Sequence, residues 1–154
     1  MGAVMSFSRV STAELEMAMR HKDIAEEFLA GYEPSADDPS GYLDKAWGGL
    51  NYLLEAAGTG VDLFFTPTPL PIGEYNGWTA QEVARTAEIL SKTPFSKLAE
   101  HYNGVRMVEA QVYPNLWGDT RNDGLGYLRE YYTKLVAVFQ HAAEHDAGLL
   151  QHFG

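Results

Sequence analysis

The chain has 154 residues, 45% hydrophobic and 21% charged, which are the proportions of a globular domain that buries an ordinary hydrophobic core. It contains no cysteine, so disulfides, thiolate metal ligands and a cysteine nucleophile are excluded. The formal net charge of −10 argues against nucleic acid as a partner, because phosphate backbones repel an acidic surface, and it would suit a basic partner.

The beginning of the chain predicts a strand and two helices. Residues 4–10 alternate apolar and polar side chains, as a strand with one buried face does. Ser11 with Glu14 three residues later matches a capping box at the start of a helix. A second helix over 21–30 is expected to end at Gly31, before a polar loop. The expected core positions on these helices are Leu15, Ala18, Met19, Ile24 and Phe28.

A regularly patterned helix is predicted to begin at Asp44 and to end at Gly58. Its expected buried stripe consists of Ala46, Trp47, Leu50, Leu54 and Ala57. The segment 58–78 is rich in glycine and proline. Within it, 61–65 is predicted to be either a short strand or a helical turn, and the two prolines of 66–69 predict irregular structure.

A second capping box, Thr79 with Glu82, predicts the next helix. The core stripe expected on that helix is Val83, Ala87 and Leu90. Proline is favoured at the first position of a helix, so a further helix is predicted over 94–102. A short helix is expected over 105–110.

The last third of the chain predicts a loop over 113–118, the longest helix over 122–145 and a strand over 148–153. The expected core face of the long helix is Leu128, Leu135, Val138, Phe139 and Ala142. Strands at both ends with helices between them predict an α+β fold in which the N- and C-terminal strands join one small sheet. No linker divides the chain, so a single domain over 1–154 is expected.

The chain is expected to be cytoplasmic and to avoid membranes. Its N-terminus lacks the basic start and the apolar stretch of a secretory signal peptide. No window approaches the roughly 18 consecutive apolar residues that a membrane span needs.

The stretch His141-Ala-Ala-Glu144-His145 spells the H-x-x-E-H pattern of inverted zinc peptidases. Two imidazoles one helical turn apart would bind the metal, and the carboxylate would act as general base. A catalytic zinc site needs a third protein ligand, and nothing in the sequence marks one. We therefore predict a polar helix edge here, with no metal, no cofactor and no catalytic residue assigned anywhere in the chain.

Two groups of residues are candidates for binding a ligand or partner. Asp44, Lys45 and Trp47 place a polar cluster beside an aromatic side chain at a helix start. The structural alternative, which the apolar helix pattern favours, is that Trp47 packs in the core while Asp44 caps the helix. Tyr113 and Trp117 lie in a predicted loop, where exposed aromatic residues often mark binding sites. The alternative is that both rings fold back into the core.

Three stretches resemble the YfbM-like family of small bacterial proteins of unknown function. They are the Asp44-Lys45-Ala-Trp47 helix, the segment from Trp78 to Tyr113-Pro114, and the long helix with the final strand. The resemblance implies an α+β fold and no assigned activity. In the family pattern an Asp follows the Trp and a His stands three residues further on. This chain has Gly48 and Asn51 at those positions, so an acid–base role for that pair does not carry over.

Two functions remain open from the sequence. The first is a non-enzymatic binding or protein-interaction domain, for example an immunity-type inhibitor of a basic toxin. It is favoured by the acidic charge, the loop aromatics and the lack of a recognisable catalytic motif. The alternative is a small-molecule-binding protein or enzyme with a pocket near Asp44, Trp47 and Tyr113, whose signature would be a concave, partly apolar site with convergent polar groups. The sequence does not indicate an oligomeric state.

Overall fold

The computed structural model describes residues 2–65 and 68–154, and over these residues the chain forms strands and helices in an α+β arrangement. The strands are β1 (Met5–Val10), β2 (Gly41–Tyr42), β3 (Thr68–Pro69), β4 (Tyr75–Trp78) and β5 (Gly148–Phe153). The helices are α1 (Thr12–Arg20), α2 (Lys22–Gly31), α3 (Trp47–Ala56), α4 (Ala80–Ser91), α5 (Phe95–Ala99), α6 (Gly104–Glu109) and α7 (Gly124–Glu144).

The five strands form one antiparallel sheet in the order β2-β1-β5-β4-β3. The two terminal strands pair along their whole length, from Met5 opposite Phe153 to Val10 opposite Gly148. This pairing confirms the predicted fold class and the sheet shared by both chain ends. The edge strands β2 and β3 have only two residues each, which leaves little unpaired backbone to template another strand.

The sheet has a hydrophobic cluster on each face, because successive strand residues point to opposite sides. Phe7 and Leu149 belong to the larger cluster, which helices α3 to α7 cover. Val10 and Leu150 belong to a smaller cluster with Leu15 and Ala18 of α1. The site described below lies where the larger cluster reaches the surface.

Both predicted capping boxes are present. The Ser11 hydroxyl accepts the Glu14 N–H at 3.1 Å, and the Glu14 carboxylate accepts the Ser11 N–H at 3.0 Å. The Thr79 and Glu82 pair forms the same reciprocal bonds at 3.2 Å and 2.9 Å. These bonds satisfy N–H groups that have no partner inside the helix, so they fix where α1 and α4 begin.

Some predictions about helices were wrong. The helix predicted from Asp44 begins at Trp47, since Asp44 has a φ of 51° and a turn precedes α3. Met19 was expected in the core but is 41% exposed. Ala18 occupies the buried stripe of α1, and adjacent residues point about 100° apart around a helix, so Met19 faces outward.

The glycine- and proline-rich segment contains more regular structure than predicted. Strand β4 lies at its end, and Thr68–Pro69 form the edge strand β3 rather than irregular structure, while Thr66 and Pro67 lie outside the described residues. Proline is tolerated in β3 because an edge strand need not donate every N–H group. Within 61–65 the structure forms a turn, closed by the Phe65 N–H bonding to the Asp62 carbonyl oxygen at 3.1 Å.

The remaining helices follow the prediction with shorter ends. Pro94 is the residue that precedes α5 rather than its first helical residue, and α5 gives way to single turns before Tyr102. Helix α7 buries Leu128, Leu135 and Val138 as expected. No helix within 2–65 and 68–154 combines the length and the apolar character that crossing a membrane requires.

Candidate functional site

Asp44 lies in a turn and is held by two tyrosine hydroxyl groups. The Tyr127 hydroxyl donates to one carboxylate oxygen at 2.6 Å, and the Tyr42 hydroxyl donates to the other at 3.1 Å. The hydrogen bond from Tyr127 is the main reason that the pKa of Asp44 is lowered, and partial burial opposes it. The Tyr127 oxygen also accepts the Lys45 N–H at 3.2 Å. Asp44 therefore anchors the turn to α7 and does not cap α3, whose preceding residue makes no side-chain cap bond.

Trp47 opens α3 and is the centre of a group of aromatic rings. Its indole N–H donates to the Ala3 carbonyl oxygen at 2.9 Å. Its ring stacks on Tyr113 at 5.1 Å and 15°, and it meets Phe64 and Phe153 edge-on at 5.3 Å and 4.9 Å. We call Trp47, Phe64, Tyr113 and Phe153 the aromatic cluster. Phe64 is 42% exposed and Phe153 is 37% exposed, so the cluster continues the hydrophobic core out to the surface.

The backbone of the loop after α6 brings Tyr113 onto Trp47. Gln111 has a φ of 57°, and the Tyr113-Pro114 peptide bond is cis. The loop then passes directly over α3 at Gly48, where an added Cβ would lie 2.5 Å from the Tyr113 carbonyl oxygen. Only glycine allows this approach without displacing the loop, so Gly48 permits the loop backbone at Tyr113 to lie against α3.

An open groove of about 810 Å³ runs between the aromatic cluster and the outer side of α3. We call it the aromatic groove. Its lining residues are Trp47, Gly48, Asn51, Tyr52, Glu55, Ala56, Phe64, Ala110, Gln111, Val112 and Tyr113. The lining is mainly aromatic and aliphatic, with two amides and one carboxylate. The Asn51 side-chain oxygen is already used, because it accepts the Leu63 N–H at 2.9 Å.

The predicted site residues are only partly brought together. Trp47 and Tyr113 meet at the groove, whereas Asp44 is not among the lining residues. The Lys45 side chain lies near this site, since Lys45 and the Tyr113 hydroxyl are both neighbours of Gly2. Trp117 is 5% exposed, and its indole N–H donates to the Val112 carbonyl oxygen at 2.9 Å. Of the two loop aromatics, Trp117 therefore packs in the core and Tyr113 lies at the surface.

Sequence reasoning missed Phe64 and Phe153 as members of the site. Phe64 belongs to a turn in a glycine- and proline-rich segment. Two successive phenylalanines, Phe64 and Phe65, are unusual for a solvated loop and could have indicated a site there. Phe153 ends β5 and carried no local signal. It reaches Trp47 only because β5 pairs with β1, whose start lies beside the tryptophan.

A second polar cluster lies across the molecule and involves the H-x-x-E-H motif. Asp38 accepts from the Arg9 guanidinium at 3.1 Å and bonds to Nε2 of His141 at 2.9 Å, and its side chain is only 10% exposed. Burial raises the pKa of Asp38, but the bonds from Arg9 and His141 together outweigh it and lower the pKa. His145 bonds through Nδ1 to the backbone oxygen of His141 at 2.8 Å. Among residues 2–65 and 68–154, no three His, Asp or Glu side chains are placed to hold a metal ion.

Comparisons with known proteins place the chain among proteins without an assigned activity. Residues 1–152 match the family model described as domain of unknown function DUF1877. The crystal structure of a protein of unknown function, YfbM from Escherichia coli, superimposes with a TM-score of 0.68 at 17% sequence identity, covering 98% of this chain and 99% of that one. At this identity the likeness shows a shared fold. No curated protein matches the chain.

Proposed function

We propose that this chain, a member of the DUF1877 family, is a binding domain that holds a protein partner in the aromatic groove. The family match and the shared fold confirm the YfbM-like resemblance. The observation that carries the proposal is the aromatic cluster, whose rings pack against one another while three of them, Trp47, Phe64 and Tyr113, line the groove and Phe64 is 42% exposed. The family and the fold provide no activity, so the proposal rests on this surface.

The chemistry of the groove favours recognition of a protein. Aromatic side chains are enriched at the centres of protein interfaces because they bury a large area with little loss of side-chain freedom. Trp47 is already fixed by its bond to Ala3 and by its stacking on Tyr113, so a partner would not need to order it. The exposed edge of Phe64 and the amide of Gln111 then provide apolar contact and hydrogen bonding.

The shape of the groove favours a protein segment over a small molecule. Small-molecule sites enclose most of the ligand surface and converge a few polar groups on it. This groove is open along one side, and Asp44, the polar group expected at such a pocket, is bonded to Tyr42 and Tyr127 instead of lining it. An inhibitor of a basic protein, as an immunity protein is for its toxin, is one form that such a binding function takes.

Selection of short linear peptides from an unbiased display library on the whole chain tests the proposal. The change Phe64→Ser removes an exposed ring from the groove, and we expect it to weaken the selected peptides at least about tenfold, corresponding to about 1.4 kcal/mol. Met19→Ser is the matched control, because Met19 is 41% exposed against 42% for Phe64 but lies on α1, outside the groove lining. Selected peptides that bind the Phe64→Ser and Met19→Ser variants equally well, or the absence of selected peptides, would refute the proposal.

A further inference from the structure

The aromatic groove is one end of a longer surface channel along α3. It shares Asn51 and Glu55 with a neighbouring hollow of about 460 Å³, which Asp62 also lines. That hollow in turn shares Gly60 and Asp62 with a third one of about 360 Å³ beside α4. We call this series of three adjoining hollows the α3 channel. It begins at the aromatic cluster and passes the C-terminal end of α3.

The length of the channel matches a short extended segment of polypeptide. Helix α3 itself, from Trp47 to Ala56, spans about 14 Å at 1.5 Å per residue. A chain in extended conformation covers that distance with roughly four residues at about 3.3 Å each. An occupant that fills the channel therefore contacts both the aromatic end and the residues beyond Glu55.

The middle of the channel is acidic. Glu55 and Asp62 are both exposed, and neither forms an ion pair with any residue in the described parts of the chain. Asp62 is held in place because its carboxylate accepts the Phe64 N–H at 2.8 Å. The basic residue of the lining, Arg85, lies in the third hollow at the far end. The overall charge of −10 adds a long-range attraction for a basic partner.

From this arrangement, and resting on the proposed function of the groove, we infer that the partner segment is extended and basic. An apolar side chain packs against Phe64 and Tyr113, and a lysine or arginine a few residues along lies between Glu55 and Asp62. Two carboxylates on either side of one cation complement its charge. The charge pattern thus specifies the partner while the aromatic cluster provides apolar contact.

The same peptide selection tests the inference through the composition of the selected peptides and their dependence on charge. We expect enrichment of lysine and arginine over the unselected library, on one side of an apolar residue. In the double variant Glu55→Gln with Asp62→Asn, affinity measured by fluorescence polarisation should fall about tenfold at low salt, and the remaining binding should depend less on salt. Asparagine keeps the oxygen that accepts the Phe64 N–H, so the turn is preserved.

The control is the double variant Glu16→Gln with Glu27→Gln, which changes the net charge equally. Both residues are exposed on α1 and α2, outside the channel lining. Its affinity should remain within about twofold of the parent, as expected for distant surface charges. An equal loss in both double variants would assign the effect to net charge and overturn the inference.

The two proposals fail in different ways. Peptides that depend on Phe64 but carry no basic residue, or that bind the Glu55→Gln, Asp62→Asn variant unchanged, would overturn the inference and leave the groove as a binding site. Binding that does not depend on Phe64 would overturn both. Urea unfolding curves of each variant show whether a lost affinity reflects lost folding, and those of the exposed carboxylate variants should match the parent.

Discussion

The side chain of Gln151 connects four parts of the core, and replacing it with leucine should weaken the fold strongly. Its amide oxygen accepts the Trp78 indole N–H at 2.9 Å and the Asn76 side-chain N–H at 3.1 Å. Its amide nitrogen donates to the Leu63 carbonyl oxygen at 2.6 Å and to the Met5 sulfur at 3.3 Å. Leucine has a similar size but can make none of these bonds.

The expected loss follows from the groups left without a partner. The Trp78 N–H and the Leu63 carbonyl would lose the bonds that they make to Gln151, and each unsatisfied buried group costs about 1–3 kcal/mol. Asn76 keeps a bond from its amide to the Phe65 carbonyl oxygen at 3.3 Å, so its loss is smaller. The gain from burying leucine offsets about 1–2 kcal/mol. We therefore expect Gln151→Leu to lower the free energy of unfolding by about 2–4 kcal/mol.

Urea unfolding followed by far-ultraviolet circular dichroism measures this change, with an unchanged m-value as the sign that the same surface unfolds. Gln140→Leu is the control, because Gln140 lies half-buried on α7 and its side chain makes no hydrogen bond within the described residues. That variant should change stability by less than about 0.5 kcal/mol. A loss below about 1 kcal/mol for Gln151→Leu would refute the reasoning, since the penalty for the buried unpaired groups would then hardly exceed the gain from burying leucine.

Three further predictions follow from the fold and the site. Gly48→Ala should lower the free energy of unfolding by about 1–2 kcal/mol, because its Cβ would lie 2.5 Å from a backbone oxygen. Gly31→Ala is the control and should not lower it, because its Cβ would meet nothing within 4 Å. Equal urea midpoints for the two variants would contradict this. The ionised Asp38 carboxylate stabilises the parent at neutral pH, above the ordinary carboxyl pKa of 3.8, and the parent loses this stabilisation as pH falls through the lowered pKa of the folded state. Asp38→Asn should therefore be less stable than the parent at neutral pH, and the difference should shrink in acid. Parent and Asp38→Asn unfolding curves that stay equally far apart at every pH would contradict this. Tyr127→Phe should move the pKa of Asp44 up towards 3.8, and an unchanged NMR titration of that carboxyl would show that the hydrogen bond is unimportant.

Features that depend on residues close together in the sequence were predictable from it. The two capping boxes use residues three positions apart, so the same short pattern that identifies them also forms the bonds. The terminal strands and α7 were found because a periodic apolar pattern over many residues identifies one buried face. The strands β2 and β3 are too short to show any period.

The candidate site depends on contacts that no local pattern encodes. The bond between Asp44 and Tyr127 joins residues 83 positions apart, and the one between Asp38 and His141 joins residues 103 positions apart. The sequence showed that aromatic residues occupy the loop after α6 but not which ring turns outward. Tyr113 does so because Gly48 admits the loop backbone, and Trp117 does not because its indole N–H finds a carbonyl inside.

Helix α3 packs into the core on one face and lines the aromatic groove on another. Leu50, Leu53 and Leu54 are buried and belong to the larger core. Trp47, Asn51 and Glu55 recur every four residues, which aligns them along one outer stripe, and all three line the aromatic groove. Gly48 lies next to this stripe and also lines the groove. Changes on this stripe would alter the groove while leaving the core stripe intact, so the fold can be shared at 17% identity while this surface differs.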